Sequence, residues 1–273
     1  MKLIKKILNF IIFLLVKINF LKLPKKSLRI LMFHDIENFE KFNTQLLLLK
    51  KDWNFISPYE FYKIISGKKK NNQRSLLITF DDGFKSNLTV AEKYLRRFKL
   101  NAIFFIPLKF ALLKNKKEKI FFIKHNLDIK KLNEKMNNLD VSDIKRILKL
   151  NNVIGAHTFS HKNLRNIRNK KKINFEIIGS ANKLQRILKI KIINFSFNFG
   201  RLEHISPTIL NLSKKRFKYV FTGIRGENLK SKKIFFRDNI SPDDNIFDLY
   251  TYLGGFLDFL YKKERKKIIN NFK

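Results

Sequence analysis

The chain has 273 residues, 44% of them hydrophobic, with 29 Phe and no Cys. Such length and apolar content exclude a disordered chain and support one large core, while the missing cysteine excludes disulfides, thiol nucleophiles and Cys-ligated zinc, so a bound metal has only His, Asp and Glu to hold it. The balance of 59 Lys+Arg against 22 Asp+Glu, a formal charge of +37, favours an anionic membrane surface as partner; A/T-rich codons explain many lysines but not the scarcity of Glu, and no aromatic-basic or helix-turn-helix pattern accompanies the charge, so no specific nucleic acid is expected.

Residues 1–24 form a basic apolar segment with a run from Ile7 to Val16, broken by Lys17 and resumed from Ile18 to Leu23. The clean run is about half of the roughly 20 residues that span a bilayer, and no A-x-A cleavage site follows. An interfacial or anchoring helix is expected, with Lys2, Lys5, Lys6, Lys17 and Lys22 reaching lipid phosphates. The competing expectation is a Lys-flanked helix packed on the protein's own core. Attachment at the cytoplasmic face and anchoring outside both fit the flanks.

Residues 25–273 read as one domain. "SLRILMFHDI" is a strand ending at His34 and Asp35, followed by a helix in "FEKFNTQLLLLKKDW". Asn54 to Ser57 is a short strand turning into a helix with Ser57 as N-cap and Pro58 at its first position. "SLLITF" and "NAIFFIP" are buried strands on either side of the helix "SNLTVAEKYLRRFKL", and Leu108 to Leu150 is a Lys-rich helical insertion or pair of outer helices. Strands return at "NVIGAHT", "IINFSFNFG", "YVFTGIRG" and "KIFFRDNI". Strand alternating with helix predicts an α/β fold with a parallel sheet, open or closed into a barrel. Reactive groups then sit at the carboxyl ends of strands, where His34-Asp35, Asp81-Asp82, His157 through His161 and Asn198 to Arg201 fall.

Adjacent carboxylates at a strand end point in different directions, because side chains alternate across a strand; one can bind a metal while the other acts as a general base. Alone, Asp-Asp-Gly reads first as turn chemistry, with Asp81 capping the following turn or helix and Asp82 facing solvent. His157 and His161 add to it: they are two of five histidines, three residues intervene between them, and a strand-to-loop turn can converge them on one ion. With one Asp they make a two-His, one-carboxylate set suited to Zn²⁺ or another divalent metal.

"TFDDG" at Thr79 to Gly83 and "HTFSH" at His157 to His161 closely resemble the first two motifs of the polysaccharide deacetylases, carbohydrate esterases with a distorted (β/α) barrel. "NAIFFIP" resembles the family's Phe-Phe strand, and "FSFNFG" falls where the family has Phe-Arg-Pro-Pro-Tyr-Gly or Phe-Ala-Tyr-Pro-Phe-Gly. "LMFHDI" is similar to the opening of a subgroup with an extra amino-terminal His, and the likeness runs from about Leu28 to Ile240.

The resemblance implies that Asp82, His157 and His161 bind a divalent metal, Zn²⁺ foremost, and that Asp81 is the base. It implies hydrolysis of the N-acetyl amide of an amino sugar, in a cell-surface polysaccharide or a lipid-linked precursor of a bacterial-type envelope, with a backbone N–H near Phe199 at the oxyanion. No His lies beyond His204, so His34 becomes the candidate acid, the alternative being a core-edge histidine. The third motif departs from the pattern. Asn198 replaces a Pro before Phe199 and Gly200, and the arginine that orients the catalytic Asp in many members is absent; Arg201, Arg225 and Arg237 are candidates to replace it. A glycan-binding protein of the same fold without hydrolytic activity is the second reading.

Overall fold

Apolar runs buried on both faces require a sheet covered by helices, and among the described residues nine strands build one: β1 (Ser27–Phe33), β2 (Asn54–Phe55), β3 (Arg74–Phe80), β4 (Ala102–Ile106), β5 (Val153–Ala156), β6 (Asn194–Ser196), β7 (Tyr219–Phe221), β8 (Ile234–Phe235) and β9 (Asp238–Asn239). The structure, a computed structural model, describes residues 2–127, 129, 132, 133 and 135–270. All strand pairs are parallel, in the order β8-β7-β6-β5-β4-β3-β1-β9, with β2 also on β3.

The two ends of that path, β8 and β9, are joined by only Phe236 and Arg237. A chain link this short forces the sheet to curl until its edges almost meet, giving the distorted barrel expected from sequence without hydrogen-bonded closure. Alternation along each strand divides the apolar residues. Leu28, Ile30, Leu77, Ile103, Phe105, Tyr219, Phe221 and Phe235 fill the concave side. Leu31, Phe33, Leu76, Ile78, Phe80, Phe104 and Phe195 face the helices outside. Interior contact across the barrel is direct, Phe105 meeting Phe221 at 5.1 Å between ring centroids.

The amino-terminal end of the barrel is plugged from a helix, Pro58–Ile65, capped by Ser57 with Pro at its start as the sequence predicts. Its Phe61 packs on Phe235 at 5.0 Å and its Tyr62 stacks on Tyr219 at 4.6 Å. With that end closed by aromatics, the carboxyl end is the one left open as a cleft.

Helix Lys2–Lys17 lies along helix Ile246–Leu253 through Phe10 and Phe13 on Phe247, and through a hydrogen bond from the Asn9 amide to Asp248. Asn9, Ile12 and Val16 are buried there, whereas Ile4, Ile7, Leu8, Ile11, Leu14 and Ile18 are exposed. The helix therefore packs on the protein by one face and leaves an apolar face free. The side chains of Lys2 and Lys5, expected at lipid phosphates, lie outside the described residues. No helix among the described residues is long and apolar enough to cross a membrane.

Between β4 and β5 the chain forms helices Leu108–Leu112, Lys116–Asn126 and Val141–Lys149. Val141–Lys149 contributes Ile144 and Ile147 to the outer core, as a crossover helix must. Phe110, Phe122 and Ile123 instead join Phe84 in a separate small cluster beside the carboxyl end of β3.

Candidate active site

The polar layer stands directly on the interior aromatics. Inward alternation continues from Leu77 through Thr79 to Asp81, and from Asn194 to Ser196, so the next groups above Phe105 are a hydroxyl, a carboxylate and a second hydroxyl. Arg237, at the β8–β9 seam, completes the layer with its guanidinium 5.3 Å from the Phe105 ring. It is fully buried and every N–H is used. Nη1 and Nη2 each reach one oxygen of Asp81 at 2.7 Å. Nε donates to Thr222 O at 2.8 Å, Nη1 also to Thr79 Oγ1 at 3.2 Å, and Nη2 also to Ser196 Oγ at 2.6 Å. Of the three arginines left open by the sequence, Arg237 is therefore the one that meets Asp81. Arg201 pairs with Glu264 and Arg225 with Asp238.

Burial alone would raise the Asp81 carboxyl, but Arg237, followed by His157, outweighs it and holds Asp81 below the ordinary carboxylate range. The group is thus ionised at neutral pH, with the oxygen nearest His157 at 3.7 Å from its Nε2.

Asp81 and Asp82 do not separate by strand alternation, as the sequence suggests. Strand β3 ends at Phe80, and Asp82 (φ 70) and Gly83 (φ 69) are both left-handed. This turn folds Asp82 back beside Asp81, and both line one cleft of about 470 Å³. Left-handed backbone recurs at Thr158 (φ 62), His161 (φ 57) and Phe199 (φ 60). Such conformations cost non-glycine residues on the order of 1 kcal/mol or more each and collect where a site dictates side-chain direction; four of them converge here.

Asp82 Oδ1 lies 3.4 Å from His157 Nε2 and 3.1 Å from His161 Nε2. A tetrahedral site with bonds of about 2.0 Å separates its donors by roughly 3.3 Å, so the spacing fits one metal ion. Each imidazole turns its other nitrogen to a backbone carbonyl, His157 Nδ1 to Ser196 O and His161 Nδ1 to Asn126 O, both at 2.8 Å. A carbonyl only accepts, so Nδ1 carries a proton and Nε2 is the atom left to ligate. Asp82 Oδ1 is buried without a well-aligned hydrogen-bond donor. Burial would raise Asp82, but His161 outweighs it and holds the carboxyl well below its ordinary value; burial would lower His161, but Asp82 outweighs it and raises it. Both shifts express one buried pair, each partner favouring the charged form of the other. Among the described residues this is the one cluster of His, Asp or Glu with metal-ligand spacing.

The loop carrying the histidines is held from behind by Glu176, which is buried and which sequence reading missed. Its Oε2 accepts from Phe159 N–H at 3.0 Å and Ser160 N–H at 2.9 Å, and its Oε1 from Ser160 Oγ at 2.6 Å. Asn126, whose carbonyl orients His161, also donates through its side chain to Ser160 O at 2.7 Å. The segment between β4 and β5 thus takes part in the site.

Of the third motif, Asn198 is buried and its amide donates to Lys162 O, tying this loop to the residue after His161. Phe199 sets its ring 5.1 Å from that of His161. Its N–H has no acceptor among the described residues, while Gly200 N–H is committed to Asn198 O at 2.7 Å. Gly200 is left-handed, and a Cβ there would stand 2.3 Å from Gly223 N, so no other residue fits. His34 follows β1, whose Phe33 pairs with Phe80; its imidazole lines the cleft beside Asp35 and Glu37. Burial raises the Asp35 carboxyl, partly opposed by a hydrogen bond from Ser86.

The polysaccharide deacetylase family profile matches residues 68–217. No curated protein matches the chain. Solved structures do. A Streptococcus pyogenes deacetylase, PplD, in complex with acetate is 18% identical with a TM-score of 0.66, over 83% of this chain and 98% of that one. IcaB from Ammonifex degensii is 18% identical with a TM-score of 0.65, over 84% and 97%. A de-N-acetylase from Aggregatibacter actinomycetemcomitans is 12% identical with a TM-score of 0.61, over 83% and 99%. At these identities the likeness is one of fold.

Proposed function

The chain belongs to the polysaccharide deacetylase family, hydrolases of carbon–nitrogen bonds other than peptide bonds, and on that footing we propose that it removes the N-acetyl group of an amino sugar in a cell-surface polysaccharide or lipid-linked glycan precursor, using a divalent metal. One observation carries the reading: three donors converge on one point, with an ionised carboxylate locked beside them in the same cleft. Two imidazoles and a carboxylate, without sulfur, suit Zn²⁺.

A metal held by Asp82, His157 and His161 supplies Lewis acidity toward the acyl oxygen and makes water acidic. Asp81 takes the proton as water attacks the acetyl carbon; Arg237 fixes its carboxylate so that no rotamer search precedes the step. The free N–H of Phe199 offers a hydrogen bond to the oxygen that becomes negative. His34, on the same wall as Asp81, delivers a proton to the nitrogen as the C–N bond breaks, giving acetate and the free amine. Ser196 and Asn198 hold Arg237 and Lys162 O, so the departures in the third motif leave base and donors in place, which favours hydrolysis over binding alone.

Acetate released from a panel of N-acetylated glycans tests the proposal. Release should stop with a chelator and return with Zn²⁺. A folded, metal-loaded protein that frees no acetate from any of them would end it.

The free face of helix Lys2–Lys17 supports docking on an anionic membrane, at the cytoplasmic face or outside. Ile4, Ile7, Leu8, Ile11, Leu14 and Ile18 form a stripe at helical spacing, and the chain's positive charge suits acidic headgroups. Sedimentation with phosphatidylglycerol vesicles should exceed that with phosphatidylcholine vesicles, and Ile7→Asp/Ile11→Asp should weaken it at least tenfold, given about 1.5–3 kcal/mol per buried Ile. Equal pelleting of variant and parent would discard the docking face.

A further inference from the structure

A second cleft, of about 1090 Å³, opens from the first where His161 and Phe199 form part of both walls. Its rim carries Lys162, Arg168, Lys171 and Lys172, all exposed and none in an ion pair among the described residues. The one acid in the lining among the described residues, Glu176, is buried, turns both oxygens to the histidine loop through three hydrogen bonds, and forms no ion pair with these cations. Two aromatic rings, Phe175 and Phe199, are more than a third exposed along the same walls. Flat rings beside amides and cations suit a sugar bearing negative charge.

We propose that this cleft is an anionic-glycan subsite: it holds the part of the substrate next to the reacting acetamido sugar, and that part carries a carboxylate or phosphate. The inference builds on the deacetylase reading by naming a substrate class. The charge of the chain as a whole does not make this cleft special; its continuity with the metal donors at His161 does. An anion seated between Arg168 and Lys171 draws the neighbouring sugar across Phe199 toward Asp81.

The test reads binding separately from turnover. Equilibrium binding is measured for three probes: a hyaluronan tetrasaccharide, which carries carboxylates; uridine diphosphate N-acetylglucosamine, which carries a diphosphate; and neutral chitotetraose. Parent protein is compared with Arg168→Gln/Lys171→Gln/Lys172→Gln, whose exposed side chains leave fold and metal donors untouched. At least one anionic probe should bind tighter than chitotetraose. That preference should fall with added salt and drop about tenfold in the variant, while chitotetraose binds both proteins alike. Which anionic probe responds identifies carboxylate or phosphate as the recognised group. No preference, a preference that survives in the variant, or no binding of any probe each overturns the subsite. Acetate release, followed in the same samples, reports on the deacetylase reading alone: a charge-dependent preference without release leaves the subsite standing and removes the reaction.

Discussion

Asp81→Asn is expected to lower the turnover of acetate release by about a thousandfold, within the range of 10²–10⁴ that general-base catalysis contributes. The metal should remain stoichiometric, because Asp82, His157 and His161 are unchanged. Two causes add. An amide cannot take the proton from water, and its NH2 would face an N–H of Arg237 where Asp81 now accepts from both ends of the guanidinium at 2.7 Å. The binding constant for substrate should move little, since the cleft wall keeps its shape. Stability falls too, because the substitution strands a buried guanidinium, and breaking a buried pair costs about 3–5 kcal/mol. Assay below the variant's melting temperature, with metal content measured on the same sample, separates the two effects. Turnover within tenfold of the parent in a metal-loaded variant would remove Asp81 as the base.

What the sequence revealed followed from periodicity. Strands β1 to β7 were legible as apolar or alternating runs, and Ser57-Pro58 as a helix start, because these signals are local. By contrast, "KIFFRDNI" reads as one strand and is two, β8 and β9. The curl of the sheet was not legible, since it depends on two residues linking the ends of the strand order. Asp82, His157 and His161 stood out because ligand chemistry needs particular side chains. Their supports did not. Asn126 and Ser196 orient the imidazoles through backbone carbonyls, which every residue has. Glu176 reaches the histidine loop from a helical turn at Phe175–Gly179, a distance in sequence that no spacing rule covers.

The direction of Asp82 was misread for a related reason. Alternation holds only while the chain stays extended, and β3 ends one residue before Asp81. Gly83 after the pair was the one sign of a left-handed turn, and it was legible as such.

Arg237 shows most clearly why a chain retains a costly pair. Arg237→Met removes four hydrogen bonds around Asp81, two to its oxygens and one each to the Thr79 and Ser196 hydroxyls, and leaves the carboxylate with Ser196 Oγ, 3.3 Å away, as its protein donor among the described residues. Burial, which Arg237 now outweighs, would then push the Asp81 carboxyl up. The variant should lose about 3–5 kcal/mol of stability and most of its turnover. Lys cannot substitute, because five N–H groups in a fixed fork are all engaged. In Asp81→Asn/Arg237→Met, however, neither charge remains to be stranded. Denaturant unfolding should place the double variant closer to the parent than either single variant, with a coupling energy of about 2–3 kcal/mol. Its turnover should stay as low as that of Asp81→Asn. Additivity of the two losses within about 0.5 kcal/mol would mean that the pair is not coupled. Recovery of stability without recovery of turnover would mean that the ion pair serves the reaction, since an uncharged pair of side chains serves the fold about as well.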